Sequence, residues 1–375
     1  MIDILIPVYN GAATIRQSIA SIQNQTLRDI RIVVVDDGST DDTAAILADI
    51  AAVDPRVQVL RQENRGIVDA LNAGLALCTA DLVARHDGDD IAFADRLADQ
   101  ARYLENNPDC VAVASNAWHI DEHGTRMGTR TEFIGDVDPD PDRPPSREPY
   151  LMHPFLMVRR DALVAAGGYR YVFHSEDVDL YWRLLGKGRL HNLRTVHGEY
   201  RIHGGSVSSA SIVNGRIASI YAQLAALSYK RVQAGSADLP FPREALDAYK
   251  AKGTMAAMID LASAPLDSRE AAWLRVAATA KLAELSNRRP YRLDRADYAS
   301  IAAAWQENRR SLSPRHRKWL RIMLSNRLWD LVRKRRFDDA RALATGSGLM
   351  PTLIGQRAKR LVKVALPGLR RAKGS

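Results

Sequence analysis

The chain has 375 residues, of which 46% are hydrophobic and 26% charged, a composition that suits a soluble globular protein long enough for two domains. Its two cysteines exclude a disulfide scaffold, no apolar run approaches the roughly 18 residues of a membrane-spanning helix, and the first residues lack the features of a signal peptide. The net charge of +9 hides a division, because residues 1–210 carry 21 basic and 31 acidic side chains (−10), whereas residues 211–375 carry 32 and 13 (+19).

Apolar runs that alternate with helical patterns open the chain. The runs at 4–8, 31–35, 57–60 and 82–84 predict strands, and apolar residues at helical spacing lie between them. Strands that are apolar throughout indicate a parallel sheet with both faces covered. In such sheets ligands bind beyond the carboxyl ends of the strands.

The fourth run ends at a group of carboxylates. Asp87 and Asp89 stand two apart, so in extended backbone both side chains point to the same side, and Gly88 between them lets a ligand approach the backbone closely. Carboxylates packed this closely are costly unless a cation lies among them. A hard divalent cation, Mg²⁺ or Mn²⁺, takes oxygen ligands and tolerates bound phosphates. The alternative for an isolated acidic group is a solvated turn.

Two further polar clusters follow neighbouring strands. Tyr9 and Asn10 come after the first strand, and Asp36 and Asp37 come after the second. Because the carboxyl ends of parallel strands meet at one edge of a sheet, we expect both clusters to join the acidic group there. Three polar clusters at one edge favour a ligand site over solvated turns.

The first strand–helix junction carries neither a GxGxxG nor a P-loop motif, which disfavours a dinucleotide-binding domain and a P-loop enzyme.

A second acidic group precedes a helix predicted at 180–185. It consists of Glu176, Asp177 and Asp179. Acids at a helix start can cap the backbone N–H groups and complement the helix dipole, and this interpretation stays open beside a role in chemistry.

Strand patterning disappears from about residue 212 onward. The remaining chain is Ala-rich with helical periodicity, including a single predicted helix over 243–262. Upstream, the segment 136–149 is rich in Pro and Asp and predicts a loop. We therefore divide the chain into a strand–helix domain, 1–210, and a basic helical region, 211–375.

The end of the chain is strongly basic. Residues 309–375 hold 19 Lys and Arg against 3 Asp and Glu, a balance of +16, and apolar stripes accompany the charge. This pattern is typical of helices that lie on an anionic membrane surface. A basic face that packs on the rest of the protein or is solvated is the alternative. Nucleic acid is not expected as a partner, because no DNA- or RNA-reading motif accompanies the charge.

Taken in order, the motifs of residues 1 to about 210 resemble those of the family 2 glycosyltransferases, which transfer a sugar from a nucleoside-diphosphate sugar with inversion. The matching stretches are Pro7-Val8-Tyr9-Asn10, Val35-Asp36-Asp37-Gly38-Ser39, Asn72-Ala73-Gly74, Asp87-Gly88-Asp89-Asp90, Asp95-Arg96-Leu97, His153-Pro154, Gly167-Gly168-Tyr169, Glu176-Asp177 with Trp182-Arg183, and Tyr200-Arg201-Ile202-His203. The resemblance implies the A-type glycosyltransferase fold, an α/β domain with a mixed, mostly parallel sheet flanked by helices, followed here by the all-helical region.

The resemblance also implies roles for residues on the donor side. Pro7 and Tyr9 would line the base pocket, with Asn10 beside them. Asp37 would accept the imide N–H of uracil, and Asp36 would support the turn.

Relatives often carry Arg one residue before Asn72, but Leu71 stands at that position in this chain. A diphosphate contact is therefore expected elsewhere, at Arg65.

The same resemblance assigns the metal and the base. Asp87 and Asp89 would be the metal-binding pair, with Asp89 as the direct ligand. Asp177 matches the general base, beside Glu176. His203 falls where some relatives place a metal or diphosphate contact, and a hydrogen-bonded histidine at a strand end is the alternative.

The expected function is that of a metal-dependent inverting glycosyltransferase. It would move a sugar, in our expectation from a UDP-linked donor, to a hydroxyl of a glycan or lipid-linked acceptor in surface polysaccharide synthesis. We expect a cytoplasmic enzyme at the inner face of the cell membrane. Two alternatives remain: a catalytically inactive binding or scaffold protein, and a sugar-nucleotide pyrophosphorylase. The latter would carry a Gly-rich basic loop after the first strand, which Asn10-Gly11-Ala12-Ala13 does not provide.

Overall fold

The computed structural model describes residues 1–202, 211–286, 291–345 and 347–349. These residues form two compact units. The first unit comprises 1–138, 149–171 and 176–202, and the second comprises 139–148, 172–175 and the described residues from 211 onward. The predictions made for His203 and for the basic segment 350–375 fall outside the described residues.

The first unit is an α/β domain. Its strands are β1 (Ile2–Val8), β2 (Ile30–Asp36), β3 (Val57–Arg61), β4 (Leu82–Arg85), β5 (Ile91–Ala92), β6 (Cys110–Ile120), β7 (Arg126–Arg130), β8 (Gly135–Asp136), β9 (Leu156–Arg159) and β10 (Arg189–Arg201). Its helices are α1 (Ile15–Gln23), α2 (Thr43–Val53), α3 (Ile67–Leu77), α4 (Arg96–Asn106), α5 (Arg160–Ala165) and α6 (Glu176–Leu185).

The strands form one mixed sheet in the order β3-β2-β1-β4-β9-β6-β10-β5, with β7 beside β6 and β8 beside β10. The first four strands of this order are parallel to one another, β9 runs antiparallel to both of its neighbours, and β6 and β10 are again parallel. Together with the flanking helices, this sheet confirms the predicted fold class.

Both faces of the sheet are buried, as continuous apolar strands require. Successive side chains of β1 point to opposite faces: Leu5 packs into one apolar cluster with α3 and α6, whereas Ile4 and Ile6 pack into a second with α1, α2 and α4. Gly74 allows α3 to approach the sheet closely. A Cβ atom at this position would lie 2.2 Å from Leu5 Cδ1 and 2.9 Å from Val35 Cγ2.

The second unit is helical in its described part. It contains α7 (Ile212–Gln233), α8 (Ala245–Lys252), α9 (Met255–Ala262), α10 (Ser268–Leu285), α11 (Arg295–Asn308), α12 (Pro314–Arg333) and α13 (Phe337–Ala344). The single helix predicted over 243–262 is wrong, because Gly253 adopts a φ of +69° and ends α8. Thr254 then caps α9 by accepting a hydrogen bond from Ala257 N. None of the described helices has the length and apolar character needed to cross a membrane.

Candidate functional site

The ends of β1, β2 and β4 bring the three predicted polar clusters to one edge of the sheet. Strand β1 lies between its two parallel neighbours, with Val8 opposite Asp36 and Leu5 opposite Arg85. The residues that follow each strand therefore leave the sheet side by side. This register gives a structural reason for a common site built from all three turns.

The turn after β1 is fixed by the turn after β2. Asn10 has a φ of +52°, its N–H donates to Ser39 Oγ (2.9 Å), and its side-chain oxygen accepts from Thr40 N (2.8 Å). Pro7 is buried inside β1, whereas the ring of Tyr9 is 51% exposed at the edge. The side chain of Tyr9 is thus accessible at this edge, while Pro7 contributes to the strand beneath it.

Asp36 and Asp37 are both buried and hold turns. Asp36 Oδ1 accepts from Ser39 N (2.9 Å), and its Oδ2 lies 3.5 Å from Arg61 Nε. Asp37 accepts from Gln62 Nε2 (2.7 Å) and from the backbone N–H groups of Arg65 (2.9 Å) and Gly66 (2.8 Å). Asp37 thus uses three of the about four acceptor positions of a carboxylate to hold the segment before α3.

Arg65 therefore has its backbone fixed by Asp37. Its side chain is about half exposed (54%) and lies 3.9 Å from Glu63, so it stands in a loose surface ion pair. Such pairs contribute little to stability, and the guanidinium is accessible to an anion.

Helix α1 supports the acidic loop after β4. Ser18 Oγ donates to the carbonyl of Asp87 (2.8 Å), and Thr14 Oγ1 donates to the carbonyl of Gly88 (3.0 Å). A Cβ atom at Gly88 would lie 3.1 Å from Ile15 Cδ1, so the loop and the helix are in close contact. These contacts hold the backbone of the loop.

Asp87, Asp89 and Asp90 form a cluster in which one carboxylate oxygen of each lies within 4.8 Å of the others. Asp90 is fully buried. Its Oδ1 accepts from Arg201 N (2.8 Å), and its Oδ2 finds no hydrogen-bond partner among the described residues. Burial and the carboxylates of Asp87 and Asp89 raise the pKa of Asp90 well above its usual range. A cluster of three carboxylates fits a hard divalent cation, which takes oxygen ligands.

Two arginines to which the motif comparison gave no role bind residues of this cluster. Arg85, at the end of β4, is only 4% exposed and makes an ion pair with Asp87 and a hydrogen bond to the carbonyl of His86. Arg201 Nε donates to the carbonyl of Asp89 (2.9 Å). The signal for Arg85 was present in the sequence, because an arginine inside an apolar strand must bury its charge and therefore needs a partner nearby.

The acids at the start of α6 separate into two kinds. Asp179 is buried and accepts from Arg170 Nε (3.0 Å), Arg183 Nε (2.9 Å) and Arg183 Nη2 (2.7 Å). Arg183 Nη1 in turn donates to the carbonyl of Gly168 (2.7 Å). Asp179 therefore holds the turn before α6, whereas Glu176 and Asp177 are half-buried and lie at the first turn of the helix.

This division predicts a stability effect for Asp179. Removing one partner of a buried charge pair leaves the other charges uncompensated, so Asp179→Ala should lower the free energy of unfolding by about 3 kcal/mol. Urea denaturation followed by circular dichroism measures the change. Asp247→Ala, which removes an exposed acid from the first turn of α8, is the control and should change stability by less than about 0.5 kcal/mol. Equal stability of the two variants would contradict a structural role for Asp179.

Glu176 lies in the electrostatic field of the β4 loop. Burial, followed by the neighbouring carboxylate of Asp177, raises the pKa of Glu176 to about 8, and Arg85 and Asp87 contribute in opposite directions. The start of α6 and the acidic loop are thus neighbours. Two carboxyl groups this close do not readily carry both negative charges, so the Glu176–Asp177 pair can share one proton.

The segments before α6 are tied to α3 and to a histidine. Asn72 Nδ2 donates to the carbonyl of Tyr169 (2.9 Å), and Tyr169 N donates to Asn72 Oδ1 (2.9 Å). The Tyr169 hydroxyl pairs with His153 Nε2 (3.0 Å). Burial and the charge of Arg85 lower the pKa of His153 well below its usual range, so this histidine is neutral. The matching Asn72-Ala73-Gly74 and Gly167-Gly168-Tyr169 stretches thus contact each other and position the entry to α6.

Comparison with solved structures establishes the class of fold. Staphylococcus aureus TarS superposes with a TM-score of 0.54 over 92% of this chain and 90% of the TarS chain, at 16% sequence identity. At this low sequence identity, the superposition supports a conclusion about the fold alone. The first unit, with its mixed sheet and acidic loop, has the fold of the A-type glycosyltransferases.

Sequence comparison establishes the family. The sequence profile of Glycosyl transferase family 2 matches residues 3–165. The amylovoran biosynthesis glycosyltransferase AmsE of Erwinia amylovora is 32% identical over 191 residues, which cover 50% of this chain and 71% of AmsE. The O-antigen biosynthesis glycosyltransferase WbnJ of Escherichia coli is 30% identical over 220 residues, which cover 56% of this chain and 84% of WbnJ. The protein belongs to glycosyltransferase family 2, and the resemblance inferred from its motifs is confirmed.

Proposed function

We propose that this glycosyltransferase moves a sugar from a nucleoside-diphosphate sugar to a hydroxyl of a glycan or lipid-linked acceptor, with inversion, during polysaccharide synthesis. The observation that carries the proposal is the neighbourhood of two acidic groups: the Asp87–Asp89–Asp90 cluster and the Glu176–Asp177 pair at the start of α6. One group suits a diphosphate with its cation, and the other suits proton removal from an acceptor. The names of AmsE and WbnJ, which are polysaccharide enzymes, support the acceptor class.

On the donor side, Tyr9 and Asp37 would bind the base, and Arg65 would contact the diphosphate. The exposed ring of Tyr9 can stack on a planar base, and the remaining acceptor position of Asp37 suits an N–H donor such as the uracil imide. These contacts favour uridine diphosphate as the nucleotide of the donor.

Asp87 and Asp89 would hold Mg²⁺ or Mn²⁺, and the buried oxygen of Asp90 gives the cluster a third donor. When bound, the cation stabilises negative charge on the departing diphosphate. Arg85 holds one carboxylate oxygen of Asp87 in place. The loop backbone, fixed by Ser18 and Thr14, keeps the cluster in a defined position before any ligand arrives.

On the acceptor side, Asp177 would accept the proton of the attacking hydroxyl. One carboxylate suffices as base, because a diphosphate leaves without protonation by an acid, whereas inverting glycosidases need a second carboxyl group. Attack opposite the leaving group then gives inversion.

The test is a donor screen with the full-length protein. Ligands that bind the folded state raise the melting temperature, so a set of UDP- and GDP-sugars is scanned with Mn²⁺ and again with EDTA. We expect stabilisation by one UDP-sugar that disappears with EDTA, and slow hydrolysis of that sugar when the acceptor is absent. Stabilisation by GDP-sugars alone would contradict the assignment of the base, and absence of any response would contradict donor binding as a whole.

We further propose that the enzyme works at an anionic membrane surface, with the support coming from the +16 balance of residues 309–375. A variant that ends near Gly346 should sediment less with anionic vesicles than the full-length chain, and full-length binding should fall as salt screens the charges. Equal sedimentation of the two proteins would contradict a role for the final segment.

A further inference from the structure

The second unit contains a basic cleft between α11 and α12 that no part of the proposed mechanism uses. Its volume is about 450 Å³, and it is lined by Arg309, Arg317, Lys318, Arg321 and the ring of Trp305. Among the residues that the structure describes, no carboxylate lines the cleft. Its size is that of a small-molecule site, which commonly measures about 300–1,000 Å³.

The four cations of the cleft differ from other basic residues of the same unit. Arg216, Arg275 and Lys281 each lie within 2.9 Å of a carboxylate oxygen. Within the part of the chain that the structure describes, none of the four cleft cations makes an ion pair with a carboxylate. Cations gathered without a counter-charge repel one another, so their grouping favours an anionic ligand.

Two of the arginines are oriented in advance by backbone carbonyls. Arg309 Nη1 donates to the carbonyl of Ser347 (3.1 Å), which also accepts from Trp305 Nε1 (3.0 Å). Arg317 Nη2 donates to the carbonyl of Leu312 (3.0 Å), while its buried Nε has no hydrogen-bond partner among the described residues. Backbone carbonyls thus hold both guanidinium groups in place without neutralising their charge.

The chemistry of these groups identifies the class of ligand. The planar fork of arginine matches phosphate oxygens in a bidentate manner, and four cations suit a group that carries several negative charges. We propose that this cleft binds a diphosphate or phosphate ester, separate from the donor site of the first unit. Its use as the site for a phosphate of the acceptor rests on the proposed function, whereas the binding itself does not.

The experiment uses the full-length protein and inorganic diphosphate in isothermal titration calorimetry, with EDTA present to suppress cation-dependent binding at the Asp87–Asp89 loop. The test variant is Lys318→Gln/Arg321→Gln, two exposed positions of α12. The matched control is Arg310→Gln/Arg315→Gln, which removes the same charge from exposed positions outside the cleft. Each charge-assisted hydrogen bond is strong, so the test variant should bind diphosphate at least about tenfold more weakly, and the control within about twofold of wild type.

Vesicles identify the source of the phosphate. Wild type and both variants are sedimented with phosphatidylcholine vesicles that contain phosphatidic acid. Loss of vesicle binding in the test variant alone would identify a lipid headgroup, whereas equal vesicle binding beside weakened diphosphate binding would identify a soluble phosphate ester. Diphosphate binding that is equal in the two double variants, or absent in wild type, would overturn the proposal. Because donor stabilisation and hydrolysis report on the first unit, they keep a failure of this site distinct from a failure of the proposed function.

Discussion

Replacement of Asp177 by Asn should leave binding of the donor intact while turnover falls about a hundredfold or more. Asn is nearly isosteric with Asp but cannot accept the proton of the acceptor hydroxyl. That hydroxyl is a very weak acid, so its proton must leave as the new bond forms. Burial and the adjacent carboxylate of Asp177 raise the pKa of Glu176, and the order of the family motifs is what selects Asp177 over its neighbour.

The comparison with Glu176→Gln makes this prediction specific. With Asp177 assigned as the base, Glu176→Gln leaves the proton acceptor in place and should retain most of the turnover. Turnover and donor affinity are measured for both variants, with Asp247→Ala as a control for loss of an acid elsewhere. An active Asp177→Asn beside an inactive Glu176→Gln would mean that Glu176 is the base. Two active variants would mean that the start of α6 only caps the helix.

The sequence was sufficient to predict that the polar clusters meet at one edge of the sheet, because alternating apolar runs and helices imply parallel strands whose carboxyl ends share an edge. The order of the strands was not predicted, so the position of β1 between β2, which ends at Asp36, and β4, which ends at Arg85, comes from the structure. The family resemblance supplied the order of the motifs. The fold class followed from these two observations together.

Side-chain partners could not be predicted from the sequence. Nothing in the spacing of Glu176, Asp177 and Asp179 shows that the third is bound by two arginines, since Arg170 reaches it from outside the helix. The break at Gly253 was missed because helical periodicity continues on both sides of it. Likewise, Glu148 in the segment predicted as a loop pairs with Lys281 (2.8 Å) within the second unit, a contact between residues 133 positions apart.

The second large effect is expected at the acidic loop. Asp89→Ala should abolish transfer and remove the part of nucleotide affinity that depends on Mg²⁺ or Mn²⁺. The cluster brings together three carboxylates, and Asp90 already gives one oxygen to the backbone of Arg201 while Asp87 is paired with Arg85. Loss of Asp89 would leave two acids as oxygen donors, and hard divalent cations bind through several oxygen ligands.

The measurement is the affinity for UDP with and without Mn²⁺, beside turnover with the donor that the screen identifies. Asp81→Ala is the matched control, because it removes an exposed acid just before β4, the strand that carries the loop, and should behave as wild type. Nucleotide affinity that responds to Mn²⁺ equally in both variants would exclude Asp89 as a ligand. Full wild-type turnover in excess EDTA would contradict the metal requirement itself. The acidic cluster would then need another cation for balance, and Arg85, already paired with Asp87, is the residue placed to provide that charge.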